Sequence, residues 1–317
     1  MNTGVNLKPV AKLVVLTVDQ IDKSDHHYNL FLPDSEEYCF NDIIIVQKTG
    51  RRYRIIDGFK IINAGLPVHH QFPAICFPES ASSFSILSKL VETKVKKRPL
   101  FPIEIASVFQ MARQDGVSDI ELMTLLFPLF GLKSNAGLID RYLQFLLLTS
   151  SIIKYMIEKN APVKTWLFIL KFTQNEQLDL GDLIRLRPTL SIFKEIVSNL
   201  YEIQKRENLS QTDLLSQLQW KTILTDENLE SKERIGQVRN AISRRRFPLL
   251  STHKDNVEAA LRQITLPENA GIHYNDSFEK KELRLNWCLH TKADIKKMSD
   301  FYTDDTIRKI QQLLDTL

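Results

Sequence analysis

Three stretches of the chain carry residue types that could do chemistry. The first is the Asp57-Gly58 pair inside "YRIIDGFKII", residues 53–62. A glycine that closes a β-rich run lets backbone N–H groups converge with no Cβ in the way. A helix opening there would turn its positive end toward an anion such as phosphate. Lys60 follows two residues after the glycine, and Arg51, Arg52 and Arg54 precede it. The competing reading is a strand-to-helix turn that binds nothing, the commoner meaning of a single Asp-Gly pair.

The second stretch is "SDIELMTLLFPLFGLKSNAGLIDRYLQFL", residues 118–146. It reads as two helical runs joined near Gly131. Ser134 would cap the second helix and set Asn135, Ala136, Asp140 and Arg141 near its exposed start. A helix so presented can enter the major groove and read base edges. Phosphate contacts would fall to Lys133 and to the earlier run Lys94, Lys96, Lys97 and Arg98. An apolar hairpin packed on its neighbours is the alternative, because the second helix carries little charge and Pro128 interrupts the first. The third stretch gathers Arg234, Arg239, Arg244, Arg245, Arg246, His253 and Lys254 into about twenty residues. Adjacent guanidinium groups suit phosphate oxygens. Acidic residues are sparse between 234 and 254, which favours phosphate contact over a solvated face on a linker helix.

Other candidates carry less. His26-His27 and His69-His70 stand in the same region as Cys39 and Cys76, but no metal-ligand spacing repeats. The carboxylate pairs Glu36-Glu37 and Asp304-Asp305 imply no pocket. No Ser-His-Asp or Cys-His order can be read. No catalytic residue and no metal site is assigned.

The elements that must position these groups follow from composition and period. The chain has 317 residues, 43% of them hydrophobic and 25% charged, enough for two or three compact domains. Its net charge of +4 permits a nucleic-acid partner without requiring one. Three widely spaced cysteines give no disulfide framework, which points to a reducing cytoplasm. "MNTGVNLKPVAK" has no signal-peptide core. The apolar run "YLQFLLLTSSIIKYMI", residues 142–157, is too short and too interrupted to cross a bilayer and reads as a buried helix pair. Residues 12–18 and 42–48 read as strands, and "IIIVQKTGRRYRII" as a β-hairpin. Residues 102–225 show helical periodicity almost throughout, with Ser118–Glu121 and Ser210–Asp213 at capping spacing. The C-terminal residues read helix, strand, strand, helix. There Leu283, Leu285, Trp287 and Leu289 alternate with polar neighbours, and Ile307, Ile310, Leu313, Leu314 and Leu317 form a helical stripe. The expected architecture is α+β: an N-terminal α/β domain (1–80), an all-α domain holding the candidate helix-turn-helix (81–230), a basic linker (231–251) and a small C-terminal α/β module (252–317).

The order of these features resembles the ParB family of chromosome-partition proteins over about residues 10–160. Asp57, Gly58, Ala64, Pro73, Ala74 and Ile75 fit the family's strand, Gly-Arg-Arg turn and Val-Pro-Ala-Ile phrase. Pro102, Ile103, Glu104 and Ala106 fit the phrase that opens its DNA-binding domain. The resemblance implies an N-terminal fold shared with sulfiredoxin and a nucleotide, usually CTP, at the Gly-Arg-Arg turn. Here Lys60 and Ile61 replace the two arginines, and Phe59 replaces the preceding Glu or His. A lysine holds phosphate as a point charge without arginine's fork. The family's Gly-x-x-Gln-Pro phrase has no counterpart, and "TKVKKR" stands for its Glu-Asn-x-x-Arg, with Lys97 near the arginine's place. The resemblance therefore implies a degenerate site at Asp57, Gly58, Lys60 and Lys97, with CTP its only implied cofactor.

The leading expectation is a ParB-like, DNA-associated, cytoplasmic protein without robust catalysis. DNA would be held by Lys133, Ser134, Asn135 and Arg141 together with Arg244, Arg245 and Arg246. The C-terminal module would support a homodimer, and no membrane would be involved. The alternatives are a CTP-binding or CTP-hydrolysing switch and a protein-interaction adaptor that does not touch DNA.

Overall fold

The computed structural model describes residues 11–29, 43–63, 66–135, 137–275, 278 and 280–317. Ala64, Ala136, Cys39 and the Glu36-Glu37 pair lie outside them. The chain is mixed α+β and divides into two compact units, Met1–Leu190 and Ser191–Leu317.

The first unit opens with a five-stranded sheet. Its strands are β1 (Lys12–Thr17), β2 (Ile21–Asp22), β3 (Ile44–Thr49), β4 (Arg52–Asp57) and β5 (Gln71–Phe77), in the order β1-β5-β3-β4-β2. The expected hairpin is β3–β4, turned at Gly50 with φ +59°. Helix α1 (Phe59–Asn63) follows β4 and buries Phe59, Ile61 and Ile62 against Leu16, Ile44, Val46, Ile55, Phe72 and Ala74. Alternate residues Ile45, Ile56 and Phe77 are buried as well. Helix α2 (Ser83–Lys97) packs against β4 and buries Ile86, Leu87, Leu90 and Val91. No division between compact units falls near residue 80.

Helix α3 (Pro102–Gln114) buries ten of its thirteen residues and is the axis of the helical layer. Next come α4 (Asp119–Glu121), a π turn over Leu122–Leu126, and α5 (Phe127–Phe130). The π turn has a local cause. Pro128 has no N–H, so the ladder cannot continue in i→i−4 register, and Phe127 N–H bonds to Leu122 C=O instead. Gly131, at φ +67°, ends the run: its N–H donates to Pro128 C=O at 3.2 Å, and Leu132 N–H donates to Phe127 C=O at 2.9 Å. Helix α6 (Gly137–Leu143) returns across α3. The two helices share an aromatic core in which Phe109 lies 5.6 Å from Phe127 and 5.9 Å from Tyr142. The expected helix pair at 142–157 is the end of α6 and α7 (Ser150–Glu158), broken at Leu148–Thr149. α8 (Val163–Ile169) and α9 (Gln174–Arg185) complete the unit.

In the second unit, α10 (Leu190–Glu207), α11 (Gln211–Gln217) and α12 (Trp220–Leu224) lead to α13 (Ser231–Arg246). The basic linker expected at 231–251 is therefore the whole of a sixteen-residue helix and the first turn of the next, α14 (Pro248–Arg262), which follows one residue later. A two-stranded sheet, β6 (Ala270–Tyr274) and β7 (Leu283–Trp287), packs with α14 and α16 (Asp304–Thr316) around Val257, Ile264, Phe301 and Leu313. Leu283, Leu285 and Trp287 alternate as expected, but the strand stops at Trp287 and leaves Leu289 exposed. Helix α15 (Lys292–Phe301) was not expected from periodicity; its lysines at 292, 296 and 297 mask a short apolar stripe. No helix among the described residues is long and apolar enough to cross a membrane.

Candidate nucleic-acid interface

At the Asp57-Gly58 turn the glycine is required by packing. Its φ is +103°, and a Cβ there would lie 2.9 Å from Ile44 Cγ1. Asp57 Oδ1 accepts the Gly58 N–H at 2.9 Å and an ion pair from Lys94 Nζ at 2.8 Å. The helix that follows is only five residues long, and three of those are core. Arg51 and Arg52 do not converge on the turn. They sit at the hairpin end of β4, roughly 17 Å away at about 3.3 Å per residue. Arg54 is held by Asp25, with Nε 2.5 Å from Oδ2. Lys60 is half-buried and Lys97 exposed. Of the expected nucleotide group, Asp57 and Gly58 are thus engaged by the protein itself.

The basic run on α2 is also partly consumed. Lys94 serves Asp57. Arg98 forks onto the fully buried Glu104, donating from both terminal nitrogens at 2.8 Å. The same carboxylate accepts Phe101 N–H at 2.8 Å, and the guanidinium lies 4.6 Å from the Phe101 ring. Lys94 and Arg98 are therefore removed from the expected phosphate contacts. Lys96 and Lys97 remain exposed.

The candidate helix-turn-helix is organised by a residue the sequence reading passed over. Arg113, in the last turn of α3, bonds Asp119 at 3.0 and 3.3 Å and Asp140 at 2.8 Å. It thereby ties the start of α4 and the middle of α6 to one guanidinium. The hydrogen bond that Arg113 donates to Asp119 is the largest cause that raises the Arg113 pKa, with the one to Asp140 adding to it. Ser118 and Glu121 cap α4 reciprocally, as their spacing implied. The cap of α6 is not Ser134. Asn135 Oδ1 accepts Gly137 N–H at 3.0 Å, while the Ser134 hydroxyl turns toward Met123 Sδ at 3.8 Å. Asn sits as well at a helix start as Ser does, so spacing alone could not choose between them. With one lone pair of Oδ1 so engaged, Asn135 keeps its NH2 group and one acceptor site for a base edge. Lys133, Ser134, Asn135 and Arg141 are all exposed. No ion pair to Lys133 or Arg141 is found among the described residues.

The arginines of α13 are treated differently by the fold. Arg239 forks onto Glu195 at 3.1 and 2.7 Å, Arg245 onto Glu207 at 2.9 and 2.5 Å, and Arg246 pairs with Glu202. Arg244 reaches Asp255 on α14 at 3.1 Å. Arg206 donates to the carbonyls of Arg245 and Arg246, filling acceptors at the helix end. Hydrogen bonds from Arg245, then Arg206, hold the Glu207 carboxyl below its ordinary range. Locally sparse acids therefore do not leave these arginines open for phosphate, since partners reach them from elsewhere in the chain. Three of the four acids, Glu195, Glu202 and Glu207, come from α10, which lies some forty residues away in sequence. The DNA-facing residues expected at 133–141 and at 244–246 are in different compact units.

The remaining histidines and cysteines gather no site. His27 Nε2 lies 3.1 Å from Asp115. Among the described residues, no group of three His, Cys, Asp or Glu side chains could hold a metal ion. No protein-family model matches the chain, and no curated protein proved similar to it.

Proposed function

We propose that the chain is a ParB-like, DNA-associated protein without robust catalysis, and that its DNA contact is the helix pair Asp119–Leu143 rather than the α13 arginines. One observation carries the reading. Arg113 clamps both helices of the pair, while Lys133, Asn135 and Arg141 stay exposed beside the start of the second. A pair so fixed presents its polar edge in one geometry, which groove recognition needs. CTP has no part in the proposal, because Lys94 and the backbone already occupy Asp57.

The test is the salt dependence of duplex binding. Each lost phosphate contact lowers the log–log slope by about 0.9. Lys133→Ala combined with Arg141→Ala is expected to lower it by about 1.8 when both contact phosphates. Arg245→Ala is expected to leave the slope unchanged, since its charge is spent on Glu207. A slope that responds to Arg245 and ignores Lys133 and Arg141 would reverse the assignment. No measurable duplex binding at low salt would favour the adaptor reading, which the pairing of Arg244–Arg246 supports.

Self-association through the C-terminal module belongs to the same proposal. Leu289, Ile295 and Tyr302 are exposed on it and would carry the contact. Light scattering on the full chain is expected to show a dimer that the Leu289→Asp, Ile295→Asp double variant converts to monomer. Equal masses for the two proteins would remove the module from assembly.

A further inference from the structure

Strand β1 is the end strand of the five-stranded sheet, and among the described residues no strand pairs with its outer side. Such an edge presents unpaired N–H and C=O groups at alternate residues. The usual guards are sparse: β1 has no proline, and Lys12 is its one charged residue. Leu13 is 70% exposed and Val15 67%. By the two-residue period of a strand they share a face with Ala11. Across the β1–β5 register, Leu13 stands opposite half-buried Ile75 and Val15 opposite exposed Pro73, so the apolar track is two strands wide. At Ala11 it runs into a cleft of about 440 Å³, walled by Phe84 of α2, Leu125 of the π turn and Leu129 of α5. Ser88 also lines the cleft, and its hydroxyl is buried with no hydrogen-bond partner among the described residues.

We propose that this track docks an extended peptide segment of a partner protein, added to β1 as a strand, with a bulky apolar side chain seated in the cleft. The free edge selects for an extended backbone, and the cleft selects for the anchor; together they match strand addition with side-chain pockets. The extent of the surface argues against a second copy of the chain. A six-residue strand spans roughly 20 Å, and a contact that short falls well below the ~800 Å² per partner of a stable dimer.

The experiment uses the full-length protein and fluorescence anisotropy. The probes are labelled octapeptides with Leu, Val, Ile or Phe at alternate positions and Thr between them. Saturable binding is expected for at least one member. N-methylation of its alternate backbone amides, in whichever phase faces the edge, is expected to weaken it at least tenfold. Leu125→Glu, at the exposed cleft rim, and Leu13→Lys, on the exposed track, are expected to weaken it similarly. The proposal is overturned if no probe binds up to millimolar concentration. It is equally overturned if both N-methylated phases bind as tightly as the parent, which would indicate apolar adhesion alone. Dimerisation that Leu13→Lys abolishes would also overturn it, by placing a second copy on the edge.

Discussion

Glu104→Ala is expected to destabilise the first unit by about 3 kcal/mol, the low end for breaking a buried ion pair by removing one partner. The carboxylate is fully buried and accepts three hydrogen bonds, two from Arg98 and one from Phe101 N–H. Its removal leaves a guanidinium, 27% exposed in the fold, without its fork partner. It also uncaps α3 at the turn where the chain passes from α2 into the helical layer. For a unit of this size the loss corresponds to a fall in Tm of roughly 6–12 °C. Urea denaturation of Glu104→Ala and Glu104→Gln measures it. Glutamine keeps an acceptor for Phe101 N–H and should lose less than alanine. The double variant Arg98→Met, Glu104→Leu should recover part of the deficit, because replacing a buried pair with apolar groups costs less than orphaning one member. A Glu104→Ala protein within about 0.5 kcal/mol of the wild type would mean the pair is no more than a surface salt bridge.

Gly58→Val is expected to cost about 3 kcal/mol by a different route. At φ +103° any side chain is strained, at roughly 1–3 kcal/mol. The new Cβ would also stand 2.9 Å from Ile44 Cγ1, backed by the sheet core, and overpacking adds a further ~1–3 kcal/mol. Gly58→Ala should show most of the loss. Made in an Ile44→Ala background and compared with Ile44→Ala alone, Gly58→Val should lose the steric part and keep the backbone part, so the two contributions separate in a urea series. If Gly58→Val unfolds at the wild-type denaturant midpoint, the glycine is not required by packing and a ligand role for the turn returns to consideration. If it unfolds early, loss of any ligand in that variant reports damage to the fold rather than a blocked approach to the backbone.

Local pattern reached far in this chain. The β3–β4 hairpin was legible because runs of branched residues flank a Thr-Gly turn, and the turn chemistry acts within four residues. Ile105, Val108, Phe109 and Ala112 fall on one helical face because an α-helix has a period of 3.6, and all four are buried. The reciprocal cap of Ser118 and Glu121 depends on a three-residue spacing and formed as read. Where two local solutions were equally good, the sequence did not choose between them. Ser134 and Asn135 can both cap α6, and in the fold it is Asn135 Oδ1 that accepts the Gly137 N–H.

What only the tertiary structure decided is the fate of the charges. By itself the sequence determined an α+β chain with a β-rich start, a long helical middle and a strand-containing end. It also set three basic clusters, each carrying chemistry that would suit phosphate. An ion pair, however, depends on distance in space, and an opposite charge within about 4 Å alters a group's availability whatever its separation along the chain. Lys94 meets Asp57 because α2 packs on the end of β4, Arg98 meets Glu104 across the turn from α2 into α3, and Arg239, Arg245 and Arg246 meet Glu195, Glu207 and Glu202 because α13 packs beside α10. Arg113 joins Asp119 to Asp140 because α6 folds back across α3. Arg98–Glu104 and Arg113–Asp119 lie six residues apart, but the acids that meet Arg239, Arg245 and Arg246 lie 38 to 44 residues away, so a basic run read as a surface for another molecule became, in α13, the seam of a helix pair.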